Sequence, residues 1–466
     1  MDRHVHFKQI CEFSKSWWTA EIRELRKRQN RLRRRWARSG HEEDRIAFLQ
    51  GRRRLRNAII KAKKKAWQDF CSETGRDDHW RLYRRVVRPQ GPVQVDDLVN
   101  GEGHITSDKG KAEMLAAAFF PSLPPGEQAQ HNRITRKWRA ETGTSPSEVP
   151  PIEETEILRT VQRMRRAAAP GLDEISGTLL KSCIFILLPF LLQLFNASLS
   201  LGCVPTTWKR AKVIALRKPN KATYSVAKSY RPISLLSILG KSLESIVNAR
   251  IVRVLEKGGL LSPFQLGFRK GKEAIDGGWR LTHEVVGALQ TRHQVQAVTF
   301  DIQSAYDTVW HEGLLEKMQR MGLEKYLINW TRSFLSNRQG VLEIGSARHE
   351  APVECGVPQG SPLSPTLFLI YINDLLQSLE ALSPVRFQAY ADDLIIWVRG
   401  LFRDGFTHPM LSRALEMLTQ WSLQWRLRFH PGKCCAICFH GAQVRVRKHF
   451  EAKLYDTIIP YTPELW

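Results

Sequence analysis

At 466 residues, with 42% apolar residues and a formal charge of +25, the chain is long enough for several domains or one multi-lobed one. So large a positive excess points to a polyanionic partner, nucleic acid or an acidic membrane surface. No apolar signal-peptide core follows Met1, and the eight scattered cysteines make no disulfide framework. A secreted, disulfide-stapled protein is therefore not expected, and a reducing intracellular compartment is.

Residues 21–88 are dense in Arg and Lys, as in RELRKRQNRLRRRWARS and GRRRLRNAIIKAKKKAW. Leu25, Leu32 and Trp36, then Phe48, Leu55 and Ile59, recur at helical spacing and predict one or two long basic helices within residues 1–90. Acidic residues are too few to pair with these bases, which favours a phosphate-binding arm over a solvated helical face. Gly, Pro and Ser clusters mark residues 91–151 as a loop-rich linker around one short helix near 111–119. From residue 152 the pattern is that of an α/β globular domain, without internal repeats. The apolar run 183–195 reads as a buried helix: it is short for a bilayer span and contains Pro189 and Gln193.

Further along, VQAVT (295–299) predicts a strand that delivers Asp301, then a turn, then a helix from near His311. GVPQGSPLSPTLF predicts a Gly/Pro-rich loop from Gly356 that becomes a long apolar helix near Pro365. FQAYADDLIIWV predicts a β-hairpin with Asp392 and Asp393 at its tip. CCAIC, with His440 nearby, lacks a second ligand pair at zinc-finger spacing and lies in a β-like run, so buried strand cysteines are expected there.

Two adjacent carboxylates in front of a buried strand are costly unless something compensates them. An exposed turn is one solution, since Asp is a favoured turn residue. A pair of divalent cations is the other. Asp301, Asp392 and Asp393 come from two structural pieces that can meet at one end of a sheet. Shared carboxylates there can hold two cations about 4 Å apart, which aligns an attacking and a leaving oxygen in phosphoryl transfer.

In their order, FDIQSAYDTVW, GVPQGSPLSPTLF and YADD resemble the polymerase motifs of reverse transcriptases. AAAPGLDEI, WKRAKVIALRKPNKATYSVAKSYRPISLLSILGKSLE, LSPFQLGFRKG and QWRLRFHPGKC are similar to blocks of the non-LTR, LINE-like retrotransposon subgroup. The resemblance covers residues 152–466, and region 1–90 looks like the basic connector that follows an endonuclease domain in such elements. It implies an α/β (α+β) right-hand polymerase fold, palm and fingers, with an antiparallel sheet carrying the carboxylates and helices packed on its other face. It implies an RNA-directed DNA polymerase that uses two Mg²⁺ ions, with Mn²⁺ as a substitute. The implied partners are an RNA template, a DNA primer or target site and dNTPs, in a ribonucleoprotein of nucleus and cytoplasm. No membrane partner is implied, and the oligomeric state stays open.

By the same resemblance Asp301, Asp392 and Asp393 fall on the catalytic metal ligands, and Ile302 lends its backbone carbonyl. Gln359 and Gly360 match the segment beside the incoming nucleotide. Lys218 and Arg231 match the cations that grip the triphosphate. Tyr306 matches an aromatic gate against a sugar 2′-hydroxyl, and Lys433 a lysine that protonates the leaving pyrophosphate. Taken as residues alone, Lys218 and Arg231 read as surface bases, Gln359 as a loop cap, Tyr306 as a core aromatic and Lys433 as a turn residue.

The chain departs from the family at Ala168, where Lys is usual, at Glu174, where Gly is usual, and at Glu273 and Ala274, where small hydroxyl residues are usual. These positions bear on the grip of template or nucleotide, not on the metal ligands. The last residues, TIIPYTPELW, fall about where a primer grip would begin, so a fingers-and-palm portion truncated before primer grip and thumb is expected. Other readings stay open: a group II intron maturase-type reverse transcriptase and a decayed retroelement fragment that only binds nucleic acid; an RNA-dependent RNA polymerase, whose loose paired-Asp spacing Asp301 and Asp307 would fit, is disfavoured by YADD in place of a Gly before the doublet and by the aromatic Tyr306.

Overall fold

A computed structural model describes residues 18–73, 95–100, 103–105, 107–123, 128–140, 149–166, 168–219, 221–401, 407–441 and 451–462. The chain divides into two units, Met1–Gly91 and Pro92–Trp466.

In the first unit the predicted basic helices are Ala20–Ser39 and Glu42–Glu73. Thr19 caps the first by accepting from Ile22 N at 3.4 Å. The helices fold back on each other along the apolar stripe. Trp36 stacks on Phe48 with ring centroids 5.2 Å apart, and Gln29 Nε2 donates to the Phe48 carbonyl at 3.2 Å. Asp44 ties the closed end, accepting from Ser39 Oγ at 2.5 Å and pairing with Arg35 at 2.7 Å.

The strands of the second unit are β1 Leu98–Asn100, β2 Gly103–Ile105, β3 Arg210–Arg217, β4 Tyr230–Leu235, β5 Gln294–Phe300, β6 Arg338–Ile344, β7 Ala347–Val353, β8 Arg386–Tyr390, β9 Asp393–Gly400, β10 Cys435–Phe439, β11 Lys453–Leu454 and β12 Thr457–Ile458. The first pair and the last pair are small hairpins. One four-stranded sheet runs β4-β3-β6-β7 and is antiparallel except for the parallel β3–β6 pair. The other runs β10-β5-β9-β8 and is antiparallel throughout.

Side-chain alternation decides what covers the antiparallel sheet. Val298, Phe300, Leu394, Ile396 and Val398 enter the main core with helices Ser364–Glu380 and Thr407–Gln424. Val295, Ala297, Trp397 and Ile437 point the other way and bury with Ala288 of helix Ala274–Gln290. Helices thus cover both faces, not the single face expected, because β5 is apolar at consecutive positions. Both edges are occupied as well. Ala389 of β8 exchanges hydrogen bonds with Phe264 O (3.0 Å) and Leu266 N (2.9 Å), and Ala436 of β10 does so with Pro460 O and Thr462 N, both at 2.9 Å.

Two expectations change. The described residues between 95 and 151 are not a separate linker but part of the second unit. Leu98 and, at helical spacing, Ala112, Leu115, Ala116 and Phe119 bury against Val213, Ala215, Leu342 and Ile344 of the mixed sheet. Ile134 and Trp138 of helix Gln128–Ala140 join the main core. Second, the run 183–195 belongs to helix Gly177–Ser200, which is buried on one side only. Leu180, Ile184, Leu188, Leu191 and Phe195 face the core, while Phe185, Ile186 and Phe190 stay exposed. A helix apolar all round carries no sequence signal of which side is covered. By length and composition it would also suffice to cross a membrane.

Beneath the antiparallel sheet, helices His311–Arg320, Ser364–Glu380 and Thr407–Gln424 meet around Lys317. Its ammonium lies 4.6 Å from the ring centres of Tyr371 and Trp421 and 3.9 Å from Trp425, and donates to Asp374 Oδ1 at 2.6 Å. Burial pushes the amine down to about 8, with Asp374 opposing.

Candidate active site

Asp301 follows the last residue of β5, where the chain leaves the sheet. Residues 428–430 clamp it there: Gln303 N donates to Arg428 O at 2.8 Å, Ile302 bridges Phe429, and His430 N donates to Asp301 O at 2.9 Å. The same chain then turns through Pro431–Lys433 and returns the Lys433 ammonium to Asp301 Oδ2 at 3.0 Å.

Asp392 and Asp393 stand at the β8–β9 hairpin, where Tyr390 pairs with Asp393 across a two-residue turn. Ala391, the first turn residue, is buried and left-handed at φ +57°, a conformation costly for a residue with a Cβ. Gln265 holds it. Its Oε1 accepts from Ala391 N and Gly267 N, both at 2.9 Å, and its Nε2 donates to Ala391 O at 3.2 Å. A Cβ on Gly267 would lie 2.3 Å from Ala391 N, so only glycine lets this segment reach the turn. The turn puts Asp392 outside strand alternation and Asp393 at its first position, which is how adjacent carboxylates share one site.

Burial raises the pKa of Asp392, with Asp301 adding to it and Arg231 opposing. Burial raises that of Asp393 as well, followed by Asp392 and Asp301. The three carboxylates therefore act on one another. Among the described residues no three His, Cys, Asp or Glu side chains close into a metal cage. The three carboxylates are nonetheless all-oxygen donors, a chemistry that suits a hard cation such as Mg²⁺. A cation would also relieve the mutual repulsion.

The predicted cations sit on the mixed sheet. Arg231 on β4 is paired with Leu216 on β3 and is exposed. Lys218, just past the end of β3, donates from its backbone to Ser229 O at 2.8 Å and from its ammonium to Lys228 O at 2.7 Å. Burial lowers the Lys218 pKa, followed by Arg231, Lys221 and Lys433. Lys218, Arg231 and Lys433 thus share one positive neighbourhood, which also acts on Asp392 through Arg231.

Between these groups lies the Gln359 loop. Val357 N donates to Tyr306 O at 2.7 Å, so the loop is laced to the turn after Asp301. The Tyr306 ring stacks on Phe368, centroids 5.0 Å apart, and its buried hydroxyl finds no partner among the described residues. Ser234 N donates to Gln359 O at 2.7 Å. Gly360 has φ +124°, and a Cβ there would come within 2.5 Å of Ser234 O, so the close approach it permits is to β4. Ser361 Oγ donates to the buried Glu244 at 2.6 Å, and Gln359 Nε2 to Asp307 Oδ1 at 2.8 Å. Burial pushes Asp307 up to about 6, with Gln359 and Lys218 opposing.

Sequence reasoning missed Gln265, Glu244 and the role of Asp307. Their partners lie 52 to 126 residues away along the chain, and none carries a local signal. Cys435 and Cys438 lie in strand β10, and Cys434 is buried beside it.

An antiparallel sheet presenting carboxylates at one end, with a cation-bearing mixed sheet and the Gln359 loop beside it, defines a right-hand polymerase palm with its fingers. The chain belongs to the reverse transcriptase (RNA-dependent DNA polymerase) family, whose sequence model matches residues 216–453. It is 28% identical over 429 residues to a probable RNA-directed DNA polymerase from transposon X-element of Drosophila melanogaster, covering 90% of this chain and 47% of that one. It is 30% identical over 392 residues to a 115 kDa protein in type-1 retrotransposable element R1DM of the same species, covering 82% and 36%. To the RNA-directed DNA polymerase from its mobile element jockey it is 25% identical over 433 residues, covering 90% and 47%. The chain thus spans about half the length of such relatives, or less.

Proposed function

We propose that the chain is the fingers-and-palm portion of an RNA-directed DNA polymerase that adds deoxynucleotides to a primer 3′-hydroxyl. The observation that carries this reading is the meeting of Asp301 with the Asp392–Asp393 turn, beside Lys218 and Arg231. Asp301, Asp392, Asp393 and the Ile302 carbonyl would hold two Mg²⁺ ions. When bound, such ions lower the pKa of the attacking hydroxyl and offset charge on the leaving group. Arg231 offers the triphosphate a planar fork, and Lys218 a mobile point charge. Lys433, already on Asp301, is the proton donor to pyrophosphate. The Tyr306 ring lies against the nucleotide sugar and leaves no volume for a 2′-hydroxyl. Helices Ala20–Ser39 and Glu42–Glu73 hold RNA or DNA by phosphate neutralisation.

Primer extension by the purified chain on an RNA template tests this, with dNTPs or NTPs and with Mg²⁺, Mn²⁺ or neither. DNA synthesis that requires the cation is the expected result. Preference for NTPs would replace this reading with an RNA polymerase, and binding without extension would leave a nucleic-acid-binding relic.

A further inference from the structure

Helix Gly177–Ser200 buries one side in the main core and leaves a large apolar surface on the other. Phe185, Ile186, Phe190 and Leu201 are 79%, 73%, 67% and 66% exposed, and Leu179 and Leu194 are exposed as well. At roughly 190 Å² for a large apolar residue, these six present about 700 Å², more than the ~300–600 Å² that the largest patch of a monomer usually reaches.

Charge narrows what can cover this face. The helix carries a single charged residue, Lys181, and its ammonium is turned aside onto Gln162 O at 2.8 Å. Phosphates find no cation along it. A helix that lies on a lipid surface is flanked by Lys and Arg, and this one is not. The chain as a whole is at +25, so two copies repel one another, and least where the surface is neutral. The order of the apolar residues points the same way. Ile186 and Leu194 lie four residues either side of Phe190, and Leu179 and Leu201 eleven. The stripe therefore reads alike in both directions, as the self-complementary face of a two-fold interface must.

We propose that this face is an interface between two copies of the chain, with the helices packed antiparallel about a two-fold axis at Phe190. Phe190 then meets its own copy, Ile186 meets Leu194, and Leu179 meets Leu201. Pairing removes up to about 1,400 Å² of apolar surface from water, inside the ~1,200–2,000 Å² of stable specific interfaces. The helix is about 36 Å long, enough to hold all of these contacts in one seam.

The test is sedimentation equilibrium of the full chain, freed of nucleic acid and kept in high salt, as parent, Ile186→Glu, Leu194→Lys and the double variant. Both positions are exposed, so the urea unfolding midpoints should stay close to the parent's. The parent should dimerise. Each single variant should weaken the dimer at least about a hundredfold, because it places an unpaired charge in an apolar seam. The double variant should regain it, since the new carboxylate of one copy then faces the new ammonium of the other. Within one chain the two positions are about two helical turns apart and do not pair. A parent that stays monomeric at every concentration overturns the proposal, as does a dimer that both single variants leave intact. A double variant no better than the singles overturns the antiparallel pairing. Flotation of a monomeric parent with phosphatidylserine vesicles, lost in Ile186→Glu, would assign the face to lipid instead.

Discussion

In the helical hairpin the charges stand in water, and in the palm they are gathered around groups that burial has already perturbed. Helix Ala20–Ser39 carries nine basic and two acidic residues. Its ion pair Lys27–Glu24 and the Arg45–Glu42 pair of the second helix are exposed and contribute little to stability. In the second unit Lys317 and Arg250 are buried against Asp374 and Glu156, and burial raises Asp392, Asp393 and Asp307. Exposed charge acts at long range and is screened by salt, whereas buried charge acts over one or two bonds and is screened far less. On the proposed function, the hairpin supplies affinity and the palm chemistry, and salt should weaken the first while sparing the second.

The sharpest way to break that division is at the carboxylates. Asp392→Asn keeps the shape of the side chain and removes the charge that would hold a cation. Extension should fall to background while affinity for primer–template in filter binding stays within about twofold of the parent. Extension within a few-fold of the parent would remove Asp392 from the catalytic set.

Gln265→Leu attacks the same turn from behind. It strands the buried N–H and C=O of Ala391 and should cost about 2–3 kcal/mol in urea unfolding, with a larger proportional loss of kcat than of nucleotide affinity. Equal stability of parent and variant would show that the turn stands without it.

Tyr306→Val separates gate from core. As a gate, its loss should keep some dCTP addition and raise CTP addition, so the ratio of their kcat/KM values falls. If both rates drop together at constant ratio, Tyr306 is only part of the core; truncations of that kind cost about 3–5 kcal/mol.

Asp307 gives the palm a dependence on pH. The folded protein keeps this proton up to about pH 6, whereas the unfolded chain releases it near 3.8. Between those values the folded state binds more protons, so this group's contribution to stability falls as the pH rises. Glu156 and Glu316, lowered by their cation partners against burial, act in the opposite sense and lose stability as the pH falls. The parent-minus-variant stability difference for Asp307→Asn should therefore slope downward from pH 4 to 6 and flatten above. A flat difference throughout would mean Asp307 is not held protonated.

The smallest effect belongs to the hairpin. Arg31, Arg34 and Arg38 line one groove at its closed end, and changing all three to Gln should reduce the slope of log K against log salt for single-stranded RNA by about 2. Stability should move by less than about 0.5 kcal/mol. An unchanged slope would make this face a solvated one.

How much of this was legible in the sequence follows the range of the interactions. Asp301 after a β-branched run, the Gly/Pro loop before Pro365 and the doublet between two apolar segments are local patterns, and they predicted the strand end, the loop and the hairpin. Gln265 looks like any polar residue before Leu-Gly-Phe, and only pairing with a turn 126 residues away reveals it. The segment 95–140 misled because its Gly/Pro content read as linker: the short helix near 111–119 was legible, but not that its apolar face packs on strands far along the chain. Local periodicity reports which face is apolar, and never what covers it.

The treatment of the sheet edges has a consequence for how the protein behaves in concentrated solution. Irregular segments occupy β8 and β10, and the other sheet ends on β4 with Pro232 and on β7 with Arg348, Glu350 and Pro352. Rows of free amides, the usual templates for strand addition between molecules, are thus covered or interrupted by proline and charge. Aggregation by edge pairing then requires a local detachment first. The cover on β10 is the slighter one, a short stretch around Pro460 and Thr462, and its release would turn a monomer-safe sheet into an adhesive one.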